Sequence, residues 1–360
     1  MKILLWYWGR RGGGAQHAFC LARALAARPD VALALSVSAQ GELAGRFAGL
    51  GVPLRLVDTF DGALGFAAAT LRLPGIVADL RRQAASFGAD VVVSVMSHVW
   101  TPLAAPALAR DGVRFVPIIH DARPHPGDPA LFWRWRMRRE LGAARAAVVL
   151  SEAVAGLVAA EAPALPLIRL PLGAHLPDGV PKPAKATADF LFFGRLRAYK
   201  GLDLLRDAWA LLRTTHPEAR LRVVGEGDPE AVAPGLAALP GVTIEARWVA
   251  EAEMPMLIAG ARALVLPYRE ASQSGVLPIA LACGVPVVAT RVGGLSEQLA
   301  EGEGGLLVPP EPAPLAAAMA RMMDPATRAA LAVSARRAGA ALSDWDAQAA
   351  ALVAALRGLA

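Results

Sequence analysis

The feature that most constrains the fold is an alternation of two kinds of segment, which continues through almost the whole chain. Short apolar runs rich in β-branched residues alternate with longer segments of Ala, Leu and Arg that have the helical period. Uninterrupted apolar runs are typical of strands buried on both faces of a parallel sheet, and the longer segments are expected to cover those faces as helices. The sequence therefore predicts an α/β fold of doubly wound parallel sheets.

The alternation occurs in two series. Strands are predicted at 2–8, 31–37, 54–57, 91–96, 115–120, 147–150 and 167–170, and then at 190–193, 221–224, 242–245, 263–266, 287–290 and 306–308. Residues 171–185 are rich in Pro, Lys and Gly and have neither period, so they are interpreted as a linker. A chain of 360 residues is also long for one α/β core. We expect two Rossmann-like domains, at 1–175 and 186–343, with a last helix at 344–360 that joins the first domain.

Composition excludes several classes of protein. With 55% hydrophobic and 19% charged residues, the chain is expected to be globular rather than disordered. The longest uncharged stretches, 91–109 and 271–290, are broken by Pro, so no membrane-spanning helix is predicted. Cys20 and Cys283 are far apart and in no metal-ligand spacing, which predicts neither a disulfide framework nor a zinc site. We expect a cytoplasmic protein, with peripheral contact to the inner face of a membrane as an open alternative.

A formal net charge of +6 indicates an anionic partner. A nucleotide diphosphate, a lipid headgroup and nucleic acid all meet that condition. The sequence has no basic stripe interleaved with aromatic residues and no helix-turn-helix or zinc-finger pattern, so no nucleic acid partner is expected.

A glycine-rich loop, GRRGGG at 9–14, follows the first predicted strand and precedes a helix. Gly13 and Gly14 let the backbone approach a ligand, and the start of the helix offers N–H groups to an anion. These two glycines are therefore candidate donor contacts. The loop is not a dinucleotide fingerprint, because no GxGxxG motif is present and no acidic residue ends the second strand. A tight strand–helix turn without a ligand is the alternative.

The strongest local signal is the loop GRLRAYKG at 194–201, which opens the second series. Arg195 offers a planar fork of donors and Lys200 a point charge, and together they suit a diphosphate leaving group. Two such cations are able to stand where a divalent metal would otherwise be needed. A solvated basic turn is the alternative.

Three blocks of the second series, in this order and spacing, resemble glycosyltransferase family four. They are FGRL followed by KG at 193–201, VVGEG at 223–227, and GVPVVATRVGGLSE at 284–297. The resemblance covers 189–310 closely and the first domain more loosely. It implies the GT-B fold, in which two Rossmann-like domains face each other across a cleft. It also implies a retaining, metal-independent transferase that moves a sugar from a nucleoside-diphosphate sugar to a saccharide, lipid-linked or small-molecule acceptor.

The resemblance implies roles for individual residues. Arg195 and Lys200 would neutralise the donor diphosphate, and the loop at 270–275 would hold the donor sugar and its α-phosphate. The implied contacts with the donor or its nucleotide are Gly194, Gly225, Gly227, Ser272, Gln273, Ser274, Gly275 and Glu297, with Glu270 in a catalytic role. The nucleotide sugar is a co-substrate, and neither a cofactor nor a metal is implied.

The chain departs from the family at two acidic positions. The family often has two glutamates eight residues apart, and the matching positions here are Ala271 and Ile279. A catalytically impaired or nonenzymatic nucleotide-sugar-binding protein therefore stays open as an alternative to the transferase. A second alternative keeps the fold and changes the reaction, namely a GT-B sugar-nucleotide epimerase.

Further candidates follow the strands of the first domain. The strand at 115–120 ends in His120, and a histidine there is able to bond a sugar hydroxyl or move a proton near neutral pH. The family has a histidine that contacts the donor sugar at a similar position, so the resemblance implies a catalytic role for His120. His98, which follows another strand, and Asp121 are candidate acceptor contacts. A loop histidine without a role is the alternative.

Two other patterns have competing interpretations. The predicted helix at 130–146 mixes tryptophans with arginines, which suits an anionic membrane interface or a lipid-linked acceptor. A surface helix that packs its tryptophans against the sheet is the preferred alternative. The string DWD at 344–346 matches a metal-binding pattern but is interpreted as the cap of a helix.

Overall fold

The computed structural model describes residues 1–124, 131–176, 186–299 and 303–359. These residues form two compact units. The first unit contains 1–124, 131–171 and 345–359, and the second contains 172–176, 186–299 and 303–344. Residues 177–185 of the predicted linker lie outside the described part of the chain.

The first unit is built on a seven-stranded parallel sheet. Its strands are β1 (Lys2–Tyr7), β2 (Ala32–Ser38), β3 (Leu54–Val57), β4 (Val91–Val95), β5 (Arg114–Ile119), β6 (Ala147–Val149) and β7 (Leu167–Arg169). They lie in the order β3-β2-β1-β4-β5-β6-β7. The helices between them are α1 (Gly13–Ala26), α2 (Ala44–Ala48), α3 (Gly62–Phe87), α4 (Thr101–Arg110), α5 (Trp133–Ala143) and α6 (Glu152–Glu161).

The apolar runs form the centre of this sheet because helices cover both of its faces. Every residue of β4 is buried, and so is every residue of β1 after Lys2. The strand order changes direction between β1 and β4, and ligands of doubly wound sheets bind beyond the carboxyl ends of the strands at such a point.

The second unit has a six-stranded parallel sheet in the order β10-β9-β8-β11-β12-β13. Its strands are β8 (Ala188–Phe193), β9 (Leu221–Val224), β10 (Val242–Glu245), β11 (Ala261–Leu266), β12 (Val287–Thr290) and β13 (Gly305–Val308). Its helices are α7 (Leu202–Arg213), α8 (Pro229–Val232), α9 (Met254–Ala259), α10 (Val276–Ala282), α11 (Leu295–Gln298), α12 (Pro312–Met323) and α13 (Pro325–Leu342). The change of direction lies between β8 and β11.

The last helix, α14 (Trp345–Arg357), returns to the first unit and packs against α1. The rings of Trp345 and His17 are 5.0 Å apart, centre to centre, and nearly perpendicular. Arg357 pairs with Asp30, just beyond α1, at 2.9 Å.

The predicted fold class is confirmed, since the described residues hold two Rossmann-like parallel sheets. Each predicted strand is found, with ends that differ by at most two residues. Within the described ranges, no helix is long and apolar enough to cross a membrane.

Candidate functional site

In the second unit, the loops that follow β8 and β9 meet through glycine. A Cβ atom on Gly225 would lie 1.8 Å from the carbonyl oxygen of Gly194, and one on Gly227 would lie 2.7 Å from that of Leu196. The Leu196 N–H also donates to the carbonyl of Glu226 at 2.8 Å. Side chains are therefore excluded from this contact, which gives Gly225 and Gly227 a packing reason to be glycine. Their role beneath a nucleotide stays a prediction.

The two predicted cations lie at opposite ends of the β8 loop. Arg195 is exposed, whereas Lys200 is half-buried. The Lys200 ammonium lies 3.8 Å from the centre of the Tyr268 ring, and Tyr268 is fully buried. A cation over an aromatic face is attracted by the negative face of the ring. One cation is thus held in place by the protein, while the other extends into solvent.

The β8 loop is joined to the loop that follows β11 by backbone contacts. The Arg269 N–H donates to the Tyr199 carbonyl at 2.8 Å. Gly201 has a φ of +68°, and a Cβ there would lie 1.9 Å from the carbonyl oxygen of Pro267. An exposed ion pair between Arg269 and Asp203, at 2.6 Å, adds to this junction. The ends of two neighbouring strands are therefore fixed relative to each other.

The loop at 270–275 combines exposed and buried residues. Glu270 is exposed and Ser272 is half-buried, whereas Gln273 and Ser274 are buried. The Ser274 N–H donates to Gln298 Oε1 at 2.7 Å, and Gln298 Nε2 donates to the Ser274 carbonyl at 3.2 Å. This double contact fixes the backbone just before Gly275, the N-cap residue of α10. Of the predicted donor contacts in this loop, Ser274 is thus the one whose backbone these two hydrogen bonds fix.

The positions where the family often has glutamates are part of the hydrophobic core. Ala271 is 5% exposed and Ile279 is 1% exposed, and both belong to the core cluster of the second unit. The Ala271 carbonyl accepts the Gly294 N–H at 3.1 Å. Glu297, another predicted donor contact, is exposed in the first turn of α11. The apolar side chains at 271 and 279 therefore pack in the core. A carboxylate buried at either position would need a hydrogen-bonding or charged partner.

In the first unit, His120 and Asp121 follow β5 and are partly buried. His120 Nδ1 lies 2.9 Å from Asp121 Oδ2. Both line a pocket of about 250 Å³ beyond the ends of β4 and β5, which we call the β4–β5 pocket. Its lining residues are Met96, Ser97, His120, Asp121, Trp133, Arg136, Met137 and Glu140.

Sequence reasoning missed Glu140, a buried acid of this pocket. Burial raises the pKa of Glu140 to about 7, against the hydrogen bond from Ser97 and the charge of Arg136, which lower it. Ser97 Oγ donates to Glu140 Oε1 at 2.9 Å. Strongly perturbed carboxyl groups in clefts are frequent at functional sites. Only the i, i+4 spacing of Arg136 and Glu140 marks this pair in the sequence, and such pairs are common on helix surfaces.

His98 lies among aromatic rings rather than among polar groups. Its ring is 5.1 to 6.1 Å, centre to centre, from those of Trp8, Phe60 and Trp100. Burial lowers the pKa of His98 to about 3, and the charge of Arg136 contributes. Its Nδ1 accepts the Trp100 N–H at 3.3 Å, so the proton of the neutral ring is on Nε2. The role of His98 towards an acceptor stays a prediction.

The glycine-rich loop is held from one side by Glu42. The Gly12 N–H donates to Glu42 Oε1 at 2.8 Å, just before α1 begins at Gly13. A Cβ on Gly14 would lie 2.8 Å from Met96 Sδ, whereas one on Gly13 would have no neighbour within 4 Å. Gly14 therefore packs closely against the Met96 side chain, whereas Gly13 faces open space.

The helix predicted at 130–146 is α5, whose first predicted residue lies outside the described residues. Trp133 Nε1 donates to the Ala122 carbonyl at 3.1 Å, which ties this ring to the unit. Trp135 is 46% exposed. One tryptophan thus packs as the preferred alternative expects, and membrane contact through the other stays a prediction.

Two family models match the chain. Residues 187–325 match the model described as Glycosyl transferases group 1, and residues 11–170 match Glycosyltransferase Family 4. The curated relatives include the D-inositol 3-phosphate glycosyltransferase of Acidothermus cellulolyticus, 37% identical over 170 residues, which are 43% of this chain and 38% of the relative. They also include the glycogen synthase of Mycobacterium tuberculosis, 32% identical over 178 residues, which are 48% of this chain and 43% of the relative. These matches thus span less than half the length of those relatives.

Solved structures share the fold over the whole chain. Sucrose-phosphate synthase from Thermosynechococcus elongatus has a TM-score of 0.75 at 20% identity and covers 100% of this chain and 99% of its own. Anabaena HepE in complex with UDP and glucose has a TM-score of 0.75 at 18% identity, over 99% of this chain and 100% of its own. The order of the sheets, the two family models and these neighbours agree, and the chain belongs to the GT4-like glycosyltransferases of the GT-B fold.

Proposed function

We propose that this chain transfers a sugar from a nucleoside-diphosphate sugar to a hydroxyl group of an acceptor, with retention at the anomeric carbon and without a metal. The observation that carries the proposal is the pair Arg195 and Lys200 on one loop after β8, beside the point where the strand order changes direction. The solved complexes of Anabaena HepE with UDP and with UDP-glucose support a donor of this chemical class.

The two cations suit a leaving group whose negative charge grows during the reaction. At about 4 Å and an effective dielectric constant of about 20, one unit charge stabilises another by roughly 4 kcal/mol. Lys200 is already held over Tyr268, so little reorganisation is needed when the charge develops. In the proposed step, the bond from the anomeric carbon to the diphosphate oxygen breaks. The acceptor oxygen bonds to the same face of that carbon, and its proton passes to the departing diphosphate.

One alternative is favoured by a specific observation. Because Ala271 and Ile279 are buried in the core, the chain lacks carboxylates at two positions where the family often has them. A protein that binds a nucleotide sugar without turning it over would fit this feature. Transfer and binding must therefore be measured separately.

The first prediction tests the diphosphate contact. Arg195→Ala and Lys200→Ala should each lower turnover by about two to three orders of magnitude, because each removes a charge from the developing transition state. The measurement is release of nucleoside diphosphate from a panel of uridine and guanosine sugar donors. Arg197→Ala is the matched control, since Arg197 is exposed on the same loop and has no proposed role.

Turnover at the wild-type level in a folded Arg195→Ala protein would contradict the assignment. The same assay, repeated with a chelator, tests whether turnover needs a metal. Turnover should be unchanged by the chelator, and a loss restored by manganese or magnesium would overturn metal independence.

The second prediction concerns His120, which we propose contacts the donor sugar. His120→Ala should lower transfer by about 10²-fold or more and leave the affinity for free nucleoside diphosphate nearly unchanged. Steady-state transfer and calorimetric titration with the diphosphate measure the two effects on one preparation. The control is His216→Ala, which alters a histidine that follows α7 in the second unit. Equal losses in both assays would make His120 a nucleotide or structural contact, and no loss in either would remove it from the site.

A further inference from the structure

A further cavity of the first unit lies between α5, α6 and the segment that follows β5, and we call it the α5–α6 pocket. It has a volume of about 490 Å³. It shares only Trp133 and Met137 with the β4–β5 pocket. Its lining residues are Ala122, Arg123, Pro124, Trp133, Arg134, Met137, Leu157, Ala160 and Glu161. The proposed transfer gives none of them a role, so an occupant would be a ligand in addition to the donor and the acceptor.

The lining of the α5–α6 pocket is apolar apart from its three charged residues. The Trp133 indole N–H is already used, because it donates to the Ala122 carbonyl at 3.1 Å. Met137 belongs to a core cluster, and the half-buried Leu157 packs against that cluster. The volume lies in the range of about 300–1,000 Å³ that is typical of organic ligands. This lining suits an apolar body better than a sugar ring covered with hydroxyl groups, which would leave water for few partners.

Two guanidinium groups of the lining are accessible to an occupant. Arg123 is exposed, and so is Arg134, whose side chain is 74% exposed. The Nε atom of Arg134 lies 3.8 Å from Glu161 Oε2, which is beyond hydrogen-bond distance. Guanidinium groups donate pairs of parallel N–H bonds to phosphate oxygens. The lining therefore offers an anionic head two forks of donors.

The one carboxylate of the lining is bound by an arginine that lies outside it. Arg138 Nε donates to Glu161 Oε1. This hydrogen bond, followed by the charges of Arg138, Arg134 and Arg123, lowers the pKa of Glu161. Glu161 is therefore ionised at neutral pH, and three arginines surround it. An anion in the cavity would meet net positive charge, although Glu161 itself would oppose it.

The segment before α5 adds apolar surface beside the cavity. Leu131 and Phe132 directly precede Trp133, and their side chains are 76% and 66% exposed. Phe132 has a φ of +63°, which is uncommon for a residue with a Cβ atom. Strained residues of this kind cluster at ligand sites. These side chains extend the apolar surface that is available to an occupant.

We propose that the α5–α6 pocket binds an amphiphile that has one phosphate head and an apolar body. Arg123 and Arg134 hold the head, and the body lies against the apolar lining. The proposal goes beyond the proposed function, since this ligand is neither the sugar donor nor the sugar acceptor. A free alkyl phosphate and the headgroup region of a phospholipid share this chemistry, and the experiment separates these two sources.

Calorimetric titration of the full chain with octyl phosphate, below its critical micelle concentration and without a sugar donor, tests the proposal. Octyl phosphate should bind at least tenfold more tightly than inorganic phosphate, glucose 6-phosphate or octyl glucoside, because each of these lacks the apolar body or the anionic head. Equal or tighter binding of any of the three would overturn the proposal. Co-sedimentation with phosphatidylcholine vesicles, with and without phosphatidylglycerol, identifies the source. Binding only to the anionic vesicles assigns a lipid layer, and binding to neither assigns a free amphiphile.

Variants at the two guanidinium groups test the head of the ligand. Arg123→Gln and Arg134→Gln should each weaken the binding of octyl phosphate at least fivefold. Arg139→Gln is the matched control, because Arg139 is exposed on α5 but donates to the Pro102 carbonyl outside the cavity. Equal losses in Arg134→Gln and Arg139→Gln would overturn the proposal.

Variants on α6 test the cavity itself. Ala160 is an exposed residue of the lining, so Ala160→Trp should fill the cavity and weaken octyl phosphate at least tenfold. Ala159→Trp is the matched control, at an exposed position outside the lining. Glu161→Gln should strengthen binding at least threefold, since it removes the opposing charge. Equal effects of the two tryptophans, or weaker binding to Glu161→Gln, would contradict the proposal.

One further variant keeps this proposal separate from the proposed function. The Arg195→Ala protein should bind octyl phosphate as the wild type does, whatever happens to its turnover. A loss of binding in that protein would place the phosphate at the β8 loop and overturn the assignment to the α5–α6 pocket. A thermal melt of each variant confirms that it is folded.

Discussion

In the second unit, the loops after β8, β9 and β11 are joined mainly by backbone contacts, whereas the β4–β5 pocket of the first unit depends on side chains. Gly225 lies directly on the carbonyl of Gly194. In the pocket, Ser97, Arg136 and Glu140 come from two separate segments and meet through their polar groups. Backbone contact requires glycine at fixed positions and so leaves a motif in the sequence. A cluster of side chains leaves none, because many residue pairs at many spacings build an equivalent pocket.

The largest effect on stability is expected in the second unit, where backbone contacts join the loops. Gly201→Ala should destabilise the second unit by about 3 kcal/mol or more, because the residue has a φ of +68° and its Cβ would lie 1.9 Å from the Pro267 carbonyl oxygen. Gly235→Ala is the control, with a φ of +79° and no atom within 4 Å of its Cβ. It should cost only about 1–2 kcal/mol for the backbone conformation. Hydrogen exchange of the second unit measures both, and equal losses would show that the close contact does not matter.

A smaller effect on stability is expected in the β4–β5 pocket, which depends on side chains. The pKa of Glu140 is about 7 in the fold against a usual 4.5, so the fold favours the protonated acid. The free energy of unfolding of the wild type therefore falls as the pH rises from about 4.5 to 7. The full pKa shift of Glu140 corresponds to about 3 kcal/mol of that free energy. Glu140→Gln removes the titration, so the variant should gain stability over the wild type between about pH 4.5 and 7. Unfolding of the first unit at several pH values measures the difference, and a pH-independent difference would contradict the assignment.

The smallest effect is expected at the ion pair between Asp203 and Arg269. Both side chains are exposed by more than a third, so Asp203→Asn should cost at most about 1 kcal/mol. Unfolding of the second unit in denaturant, beside Gly201→Ala, places the two effects on one scale. A loss of about 2 kcal/mol or more would mean that side chains, and not the backbone bond from Arg269 to Tyr199, hold these loops together.

The fold was predictable because its signal is periodic and repeated in every strand. Buried parallel strands such as β4 are apolar at nearly every position. That local pattern predicts where they lie in the chain, without any knowledge of distant contacts. The loop at 194–201 stands out in the sequence for a related reason, since its glycines and cations are neighbours, and its contact with a donor stays a prediction.

The β4–β5 pocket and the surroundings of His98 could not be predicted, because they depend on contacts between residues far apart in sequence. Ser97 and Glu140 are separated by 43 residues, and neither is unusual in its own segment. The burial of Glu140, which raises its pKa, exists only once α5 lies on the sheet. The surroundings of His98 show the same limit, because Trp8 and Phe60 come from other segments of the chain.

The return of α14 to the first unit has a consequence for synthesis on the ribosome. In the described part of the chain, the second unit comes from residues between 172 and 344, whereas the surface of α1 that Trp345 covers must wait for α14. The nascent first unit therefore emerges with an apolar seam exposed while the whole second unit is still being translated. Segments of this kind are where a newly made chain is most open to chaperones and to aggregation. The second unit is thus completed before the first unit, although most of the first unit leaves the ribosome earlier.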